Sequence, residues 1–238
     1  MIYQIKKLLT ALIPFRLKQI IINENNDFKN NSYSQEGEDL ILDKFLTYKR
    51  KGFYIDIGAH HPKRFSNTYL YYKRGWRGIN IDALPGSMIE FQKQRNQDIN
   101  LEIGISKTSD KQIFYIFNEP ALNTFDKELA YSKNGTNGNY ITKQLNVQTS
   151  PLSQILDNYL PENVKNIDFM SIDVEGLELL VLESNDWNKY KPQFLLVEEL
   201  NNCLNIMIKE SAVLKFLEER NYTLIAKTFN TSFYKLNE

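Results

Sequence analysis

The chain has 238 residues, enough for one sizeable core and too few to require two domains. Its 29 Lys and Arg residues balance 29 Asp and Glu, so no net field points to nucleic acid or to an acidic partner. A single cysteine, Cys203, excludes an internal disulfide and fits a reducing, cytoplasmic compartment.

The first 22 residues carry Lys6, Lys7, Arg16 and Lys18 and no acid. Ile2, Ile5, Leu8, Leu9, Leu12 and Ile13 follow helical spacing, and Pro14 breaks or kinks the segment. Charge interrupts the apolar run too early for a bilayer span, and no small-residue cleavage site follows it. The segment reads as an amphipathic helix. It either packs on the body or on a second copy of the chain, or lies on the inner membrane surface as a peripheral contact. The polar stretch "NENNDFKNNS" then reads as a linker. Residues 1–30 are thus expected to form a helical extension and residues 31–238 a single domain.

From Gly52 strands and helices alternate. "GFYIDIG" reads as a buried strand, "SNTYLYYKRG" as a helix capped by Ser66, and "RGINID" as a second strand. "PGSMIEFQKQR" reads as a helix with proline near its start, and "DINLEIGIS" as a third strand. "KQIFYIF" is an extra strand outside the alternation, and "SKNGTNGN" a mobile or substrate-facing loop. The alternation resumes with helix "PLSQILDNYL", strand "NIDFMSID", helix "GLELLVLES" and strand "QFLLVEE". Helix "KESAVLKFLEER" precedes two last strands, "YTLIAKT" and "SFYKLNE". Short apolar strands separated by helices predict a parallel sheet covered on both faces. Only about two residues separate the last pair, which favours a hairpin over a parallel return.

Ligands of an open parallel sheet sit beyond the carboxyl ends of its strands, where strand order reverses. With "YIDIG" as the first core strand, Asp56, Gly58, Ala59 and His60 lie there. Gly58 lets the backbone approach a ligand closely. Asp82 ends the next strand 24 residues later, near the spacing at which an acid grips two ribose hydroxyls. The bland alternatives are that Asp56 caps loop amides and Asp82 caps the helix at "PGSM". "DIGAHH" lacks G-x-G-x-x-G, and bulky His60 occupies the place of a second glycine. That disfavours a pyrophosphate nest and suits an adenosine cofactor without phosphates.

The chain resembles the FkbM-type family of S-adenosylmethionine-dependent methyltransferases. The resemblance is carried by "YSQEGEDLIL", "GFYIDIGAHHPKRFSNTYLYYKRGWRGINIDALP", "INLEIGIS", "ALNTF", "PLSQIL", "IDFMSIDVEGLELLVLESNDW" and "LLVEE". It implies an α/β, Rossmann-like class I methyltransferase with a mostly parallel seven-stranded sheet and a terminal antiparallel hairpin. It also implies methyl transfer from S-adenosyl-L-methionine to an oxygen of a sugar, sugar nucleotide or other small metabolite. By the same resemblance Asp56, Gly58 and Ala59 form the first cofactor loop and Asp82 binds the ribose. Ala83 and Ile105 border the adenine with Ser106 nearby, and Gln35 and Glu38 close over the methionine end. Two alternatives stand beside it: a small-molecule NAD-dependent oxidoreductase, in which Asp82 would bind the NAD ribose, and a noncatalytic glycan-pathway binding protein.

For the chemistry, "SIDVEG" puts Asp173 at the end of a central strand, with Glu175 and Gly176 opening a helix. "LLVEE" brings Glu198 and Glu199 to the next strand end; alternation admits one of them to the crevice, and Glu199 is favoured. In one mechanism His60 or His61 takes the acceptor proton, oriented by Asp173 or a glutamate. In the other, Asp173, Glu199 and His61 hold a divalent ion, Mg or Mn. Tyr69, Tyr72 and Trp76 recur at three and four residues, a core helix face, so no nucleic-acid partner is expected. The nearby positives Lys63, Arg64, Lys73, Arg74 and Arg77 suit the diphosphate of a nucleotide-linked sugar.

Overall fold

Strand β1 (Phe53–Ile57) is buried along its whole length and lies at the middle of the fold. It pairs in parallel with β2 (Arg77–Asp82) on one side and with β7 (Phe169–Ile172) on the other. In this computed structural model, residues 30–46, 49–200 and 203–237 are described. The amphipathic segment expected over residues 1–22 lies outside them. Every described element belongs to the unit Ser32–Glu238. Among the described residues no helix is long and apolar enough to cross a membrane.

The main sheet has seven strands in the order β3-β2-β1-β7-β8-β10-β9. Here β3 is Ile99–Glu102, β8 is Phe194–Glu198, β9 is Tyr222–Lys227 and β10 is Thr231–Leu236. The first five run parallel; β10 inserts antiparallel between β8 and β9, which is the hairpin expected from the short link around Phe229. One face stacks Ile55, Ile57, Ile79, Ile81, Ile172, Leu195 and Val197, each at most 1% exposed. A side chain buried to that degree contributes about 1.5–3 kcal/mol, so this layer is the main driving force for the sheet. The other face is aromatic: Tyr54, Tyr71, Trp76, Phe169, Phe194 and Phe233 pack together, with the Tyr71 and Phe169 rings 4.9 Å apart. Trp76 is core, as its spacing predicts, while Tyr69 and Tyr72 are only partly buried.

Helices cover both faces: α1 (Glu38–Phe45), α2 (Tyr69–Lys73), α3 (Met88–Gln94), α5 (Leu152–Tyr159), α6 (Glu178–Glu183), α7 (Leu204–Glu210) and α8 (Ala212–Glu218). Ser66 Oγ accepts the Tyr69 amide hydrogen at 3.1 Å, but the N-cap position of α2 falls at Thr68 rather than at Ser66, and Thr68 makes no side-chain cap bond. Ser211 Oγ caps the Leu214 amide, so "KESAVLKFLEER" starts its helix at Ala212 and α7 is a separate helix before it.

The third strand departs from expectation. β3 ends at Glu102, and the next residues, β4 (Gly104–Ile105), leave for a second, three-stranded sheet of order β4-β6-β5. A side chain at Gly104 would meet the Phe125 ring at 2.5 Å, so glycine lets the chain leave the main sheet beneath that ring. β5 (Lys111–Phe117), a single turn at Pro120–Leu122, α4 (Lys127–Lys133) and β6 (Ile141–Ser150) complete this segment. It forms a roof over the end of the main sheet. The expected loop "SKNGTNGN" is in part the end of α4, and β6 has no counterpart in the sequence reading.

Beneath the crevice lies a buried ionic network. Arg95 has no exposed surface and donates to Asp98 at 3.0 Å, Tyr54 Oη at 2.7 Å and Thr68 Oγ1 at 2.9 Å. Asp98 also accepts from Tyr54 Oη at 2.6 Å, Asn80 Nδ2 at 3.1 Å and the Gly78 amide at 3.0 Å. Removing Arg95 leaves the buried carboxylates of Asp98 and Asp56 without their counter-charge. Arg95→Leu is expected to lower the unfolding free energy in urea by about 3–5 kcal/mol.

Candidate active site

The site begins where two loops touch. Gly58 follows β1 with φ +76, and a methyl built on it would overlap the Asp173 carbonyl oxygen. The Asp173 amide donates to the Ile57 carbonyl at 3.0 Å, and the Gly58 and Ala59 amides donate to the Ile81 carbonyl at 2.9 and 3.0 Å. The carboxyl ends of β1, β2 and β7 are thereby drawn together at the point where strand order reverses. They open into a cavity of about 480 Å³ under the roof, within the range of a site for one small organic ligand.

Seven of the sequence-derived residues line this cavity: Gln35, Gly58, His60, Asp82, Ala83, Ile105 and Asp173. Asp82 Oδ2 accepts the His60 amide and Oδ1 the Leu84 amide, both at 2.8 Å, which locks the carboxylate at the cavity wall. Burial pushes its carboxyl up, and the amides of Leu84 and His60 pull it back. His60 adopts φ +51, and burial lowers its imidazole pKa, which keeps the ring neutral.

Five others do not line it. Asp56 lies on the same face of β1 as Tyr54, accepts from Thr68 Oγ1 and belongs to the Arg95 network. Ala59 packs on Met88 and Phe91. His61 Nδ1 accepts the amides of Lys63 at 3.0 Å and Arg64 at 2.9 Å, so the ring caps a turn. Ser106 Oγ accepts from Gln112 Nε2 at 2.7 Å. Glu199 lies on the opposite side of β8 from the cavity, its carboxylate held by Ser211 Oγ and Tyr234 Oη. Glu38, the other acid considered for closure, is buried and accepts from the Glu36 amide at 2.8 Å.

Glu198 is the strand-end acid that enters the cavity. Oxygens of Asp173, Glu175 and Glu198 lie within 4.8 Å of one another. Asp173 stands open to the cavity yet is surrounded by protein. That enclosure, then the charges of Glu175 and Glu178, lift its carboxyl well above the usual range. Burial, then Asp173, lift Glu198 further. Two carboxyls so placed do not both ionise near neutral pH, so the pair retains a proton.

The loop that carries Asp173 and Glu175 is strained and tightly held. Glu175 has φ +53, which for a residue with a β-carbon costs roughly 1–2 kcal/mol. Glu178 Oε1 accepts the Val174 and Gly176 amides, each at 3.1 Å. From the roof, Thr124 Oγ1 donates to the Glu175 carbonyl at 3.1 Å and Lys133 Nζ to Glu175 Oε2 at 2.7 Å. Phe114 and Phe125, ring centroids 4.6 Å apart, supply an apolar wall beside Ile105. Sequence reasoning weighed Glu198 in "LLVEE" but favoured Glu199, and it did not name Lys133, Phe114 or Phe125 as site residues, although they lie in the quoted stretches "SKNGTNGN", "KQIFYIF" and "ALNTF".

The residues present fit an adenosyl cofactor. Asp82 stands at the second strand end, the Gly58 cradle has no room for a side chain, and Ile103, Ile105 and Phe114 give an apolar wall. Strand order and site together define a Rossmann-like class I methyltransferase, a mixed α/β sheet with its cleft at the carboxyl edge. The methyltransferase FkbM domain model matches residues 56–224, and the chain belongs to that family: it is an S-adenosylmethionine-dependent methyltransferase. No curated protein matches the sequence. Among solved structures, the chain is similar to a candidate O-methyltransferase from Klebsiella pneumoniae, with 10% identity, 98% of this chain and 96% of that one covered, and a TM-score of 0.47. It is also similar to precorrin-6y C5,15-methyltransferase from Geobacter metallireducens, at 12% identity, 90% and 95% coverage and TM-score 0.43. A TehB-like SAM-dependent methyltransferase from Corynebacterium glutamicum aligns at 9% identity, 93% and 97% coverage and TM-score 0.42.

Asp82→Ala removes an anchored acceptor from the cavity wall. S-adenosylhomocysteine affinity, measured by calorimetry on the folded variant, is expected to fall at least roughly tenfold, about 1.4 kcal/mol.

Proposed function

We propose that this methyltransferase methylates a hydroxyl oxygen of a sugar, presented as a nucleotide-linked sugar or glycan precursor. The observation that carries the reading is the Asp173–Glu198 pair, which shares one cavity with Asp82. Bound S-adenosylmethionine supplies an already activated methyl on a sulfonium, so positioning the acceptor is the larger requirement. In its ionised form Asp173, the less strongly lifted member of the pair and the one at the cavity surface, accepts the acceptor's hydroxyl proton as the oxygen becomes a nucleophile. Glu198 keeps the shared proton and so holds the Asp173 carboxylate in place. His60, kept neutral and bonded through its amide to Asp82, stays on the cofactor side.

Features of the wall support a sugar. Gln35, Asn123 and Asn230 line the cavity, and their side-chain type matches hydroxyl groups in hydrogen-bonding capacity. Arg64 also lines it and is about half exposed, in reach of a diphosphate.

A second use of the same carboxylates is a divalent ion. Asp173, Glu175 and Glu198 offer the oxygen donors that Mg or Mn takes, in place of the set with Glu199 and His61. Because Lys133 already neutralises Glu175, the proton-sharing pair is the preferred reading.

The test is mass spectrometry of reactions with UDP-glucose, UDP-N-acetylglucosamine, GDP-mannose and dTDP-rhamnose. A gain of one methyl on a sugar hydroxyl supports the reading, and methylation of none overturns the sugar assignment. With an active acceptor, Asp173→Asn and Glu198→Gln are each expected to lower kcat by roughly 10²-fold or more, while Glu199→Gln leaves it within about threefold. Near-normal turnover in Asp173→Asn would sink the proton-accepting role. On the same preparations, turnover is expected to survive verified removal of divalent metal. Loss on chelation with recovery in Mg or Mn assigns the cluster to the ion instead.

A further inference from the structure

Glu175 is held in a left-handed conformation that its own chain does not favour. Two of the contacts that hold it come from the roof, through Thr124 and Lys133, and Gly176 beside it lies under Leu129 of α4. The Lys133–Glu175 ion pair is only 22% and 15% exposed on its two sides, so water screens it little. Its carboxylate stands among those of Asp173 and Glu198. Lys133 also lines the cavity, and it is the cation in contact with this acidic cluster among the described residues.

On the reading of Asp173 and Glu198 as the proton-accepting pair, we infer that Lys133 is a positioning residue for methyl transfer. It pins Glu175 to the roof, keeps the Asp173–Gly176 loop in its strained shape, and offsets the Glu175 charge beside the pair. Without the ammonium, the Glu175 carboxylate repels Asp173 and Glu198, and the loop is free to relax away from the left-handed conformation. The roof is then more than a cover: its docking assembles the acidic end of the site.

Two measurements on the full chain test this. Hydrogen exchange with S-adenosylhomocysteine present needs no acceptor. Lys133→Met should speed exchange at the Val174 and Gly176 amides by about tenfold or more, and Lys133→Arg should restore protection. Unchanged exchange at those two amides overturns the inference. The second measurement is turnover with the most active sugar nucleotide of the panel. Lys133→Met should lower kcat about tenfold or more with S-adenosylhomocysteine affinity within about twofold, and Lys133→Arg should keep most of the activity. Adding Glu175→Gln to Lys133→Met should recover kcat, because it removes the uncompensated charge; a purely structural strut would show no such recovery. Losses that simply multiply in the double variant overturn the charge role. Asp173→Asn run in parallel separates the failures. Full activity there sinks the proton-accepting pair, whereas loss there with Lys133→Met unchanged sinks Lys133 alone.

Discussion

The close approach of Gly58 to the Asp173 carbonyl oxygen is the constraint on which the site depends. A parallel sheet gathers strand ends at one edge, but side chains on those ends would hold successive loops apart. At Gly58 the missing β-carbon and the positive φ remove that obstacle together. The Asp173 amide can then bond the Ile57 carbonyl, which places the loop after β7 against the loop after β1. From that contact follow both halves of the cavity. One side is closed by Asp82 across the His60 amide, and the acidic side begins at Asp173 itself. This backbone contact sets the separation between the strand ends that carry Asp82 and Asp173.

The acids around the crevice divide by what they touch. Asp56 and Asp98 serve the buried guanidinium of Arg95 and stiffen the floor. Asp82 has both oxygens tied to amides, so its position is defined before any ligand arrives. Asp173 and Glu198 face each other and are lifted by burial, Asp173 also by the charges of Glu175 and Glu178 and Glu198 also by that of Asp173. The same residue type thus gives an inert charge, a preset acceptor and a proton-holding pair. Environment decides which.

Much of this was legible in the sequence, and the limits have physical causes. The parallel order, the terminal hairpin and the strand-end positions of Asp82 and Asp173 follow from apolar runs and their spacing. The choice between Glu198 and Glu199 does not. In "FLLVEE" every residue before the acids is apolar on both faces, because β8 is covered on both sides, so no polarity contrast marks which face is which. Glu199 shares a face with Leu195 and Val197 and meets Ser211 and Tyr234 there. Asp56 fails for a related reason: nothing in "KQRNQD" announces that Arg95 will be wholly buried and will claim the charges near it. β6 is mostly exposed over its first half, and a strand that buries so little leaves a weak pattern.

The roof shows why strand ends alone do not make the site. The edge of the main sheet supplies Gly58, Asp82, Asp173 and Glu198, yet that edge would be open to water. Departure of the chain at Gly104 sends β4 out of the main sheet and brings β5, α4 and β6 over the crevice. This places Phe114 and Phe125 as an apolar wall and Lys133 against Glu175. Excluding water strengthens the electrostatic interactions inside, including the repulsion among three carboxylates. Enclosure therefore demands a compensating charge, and the segment that encloses the site is the one that provides it.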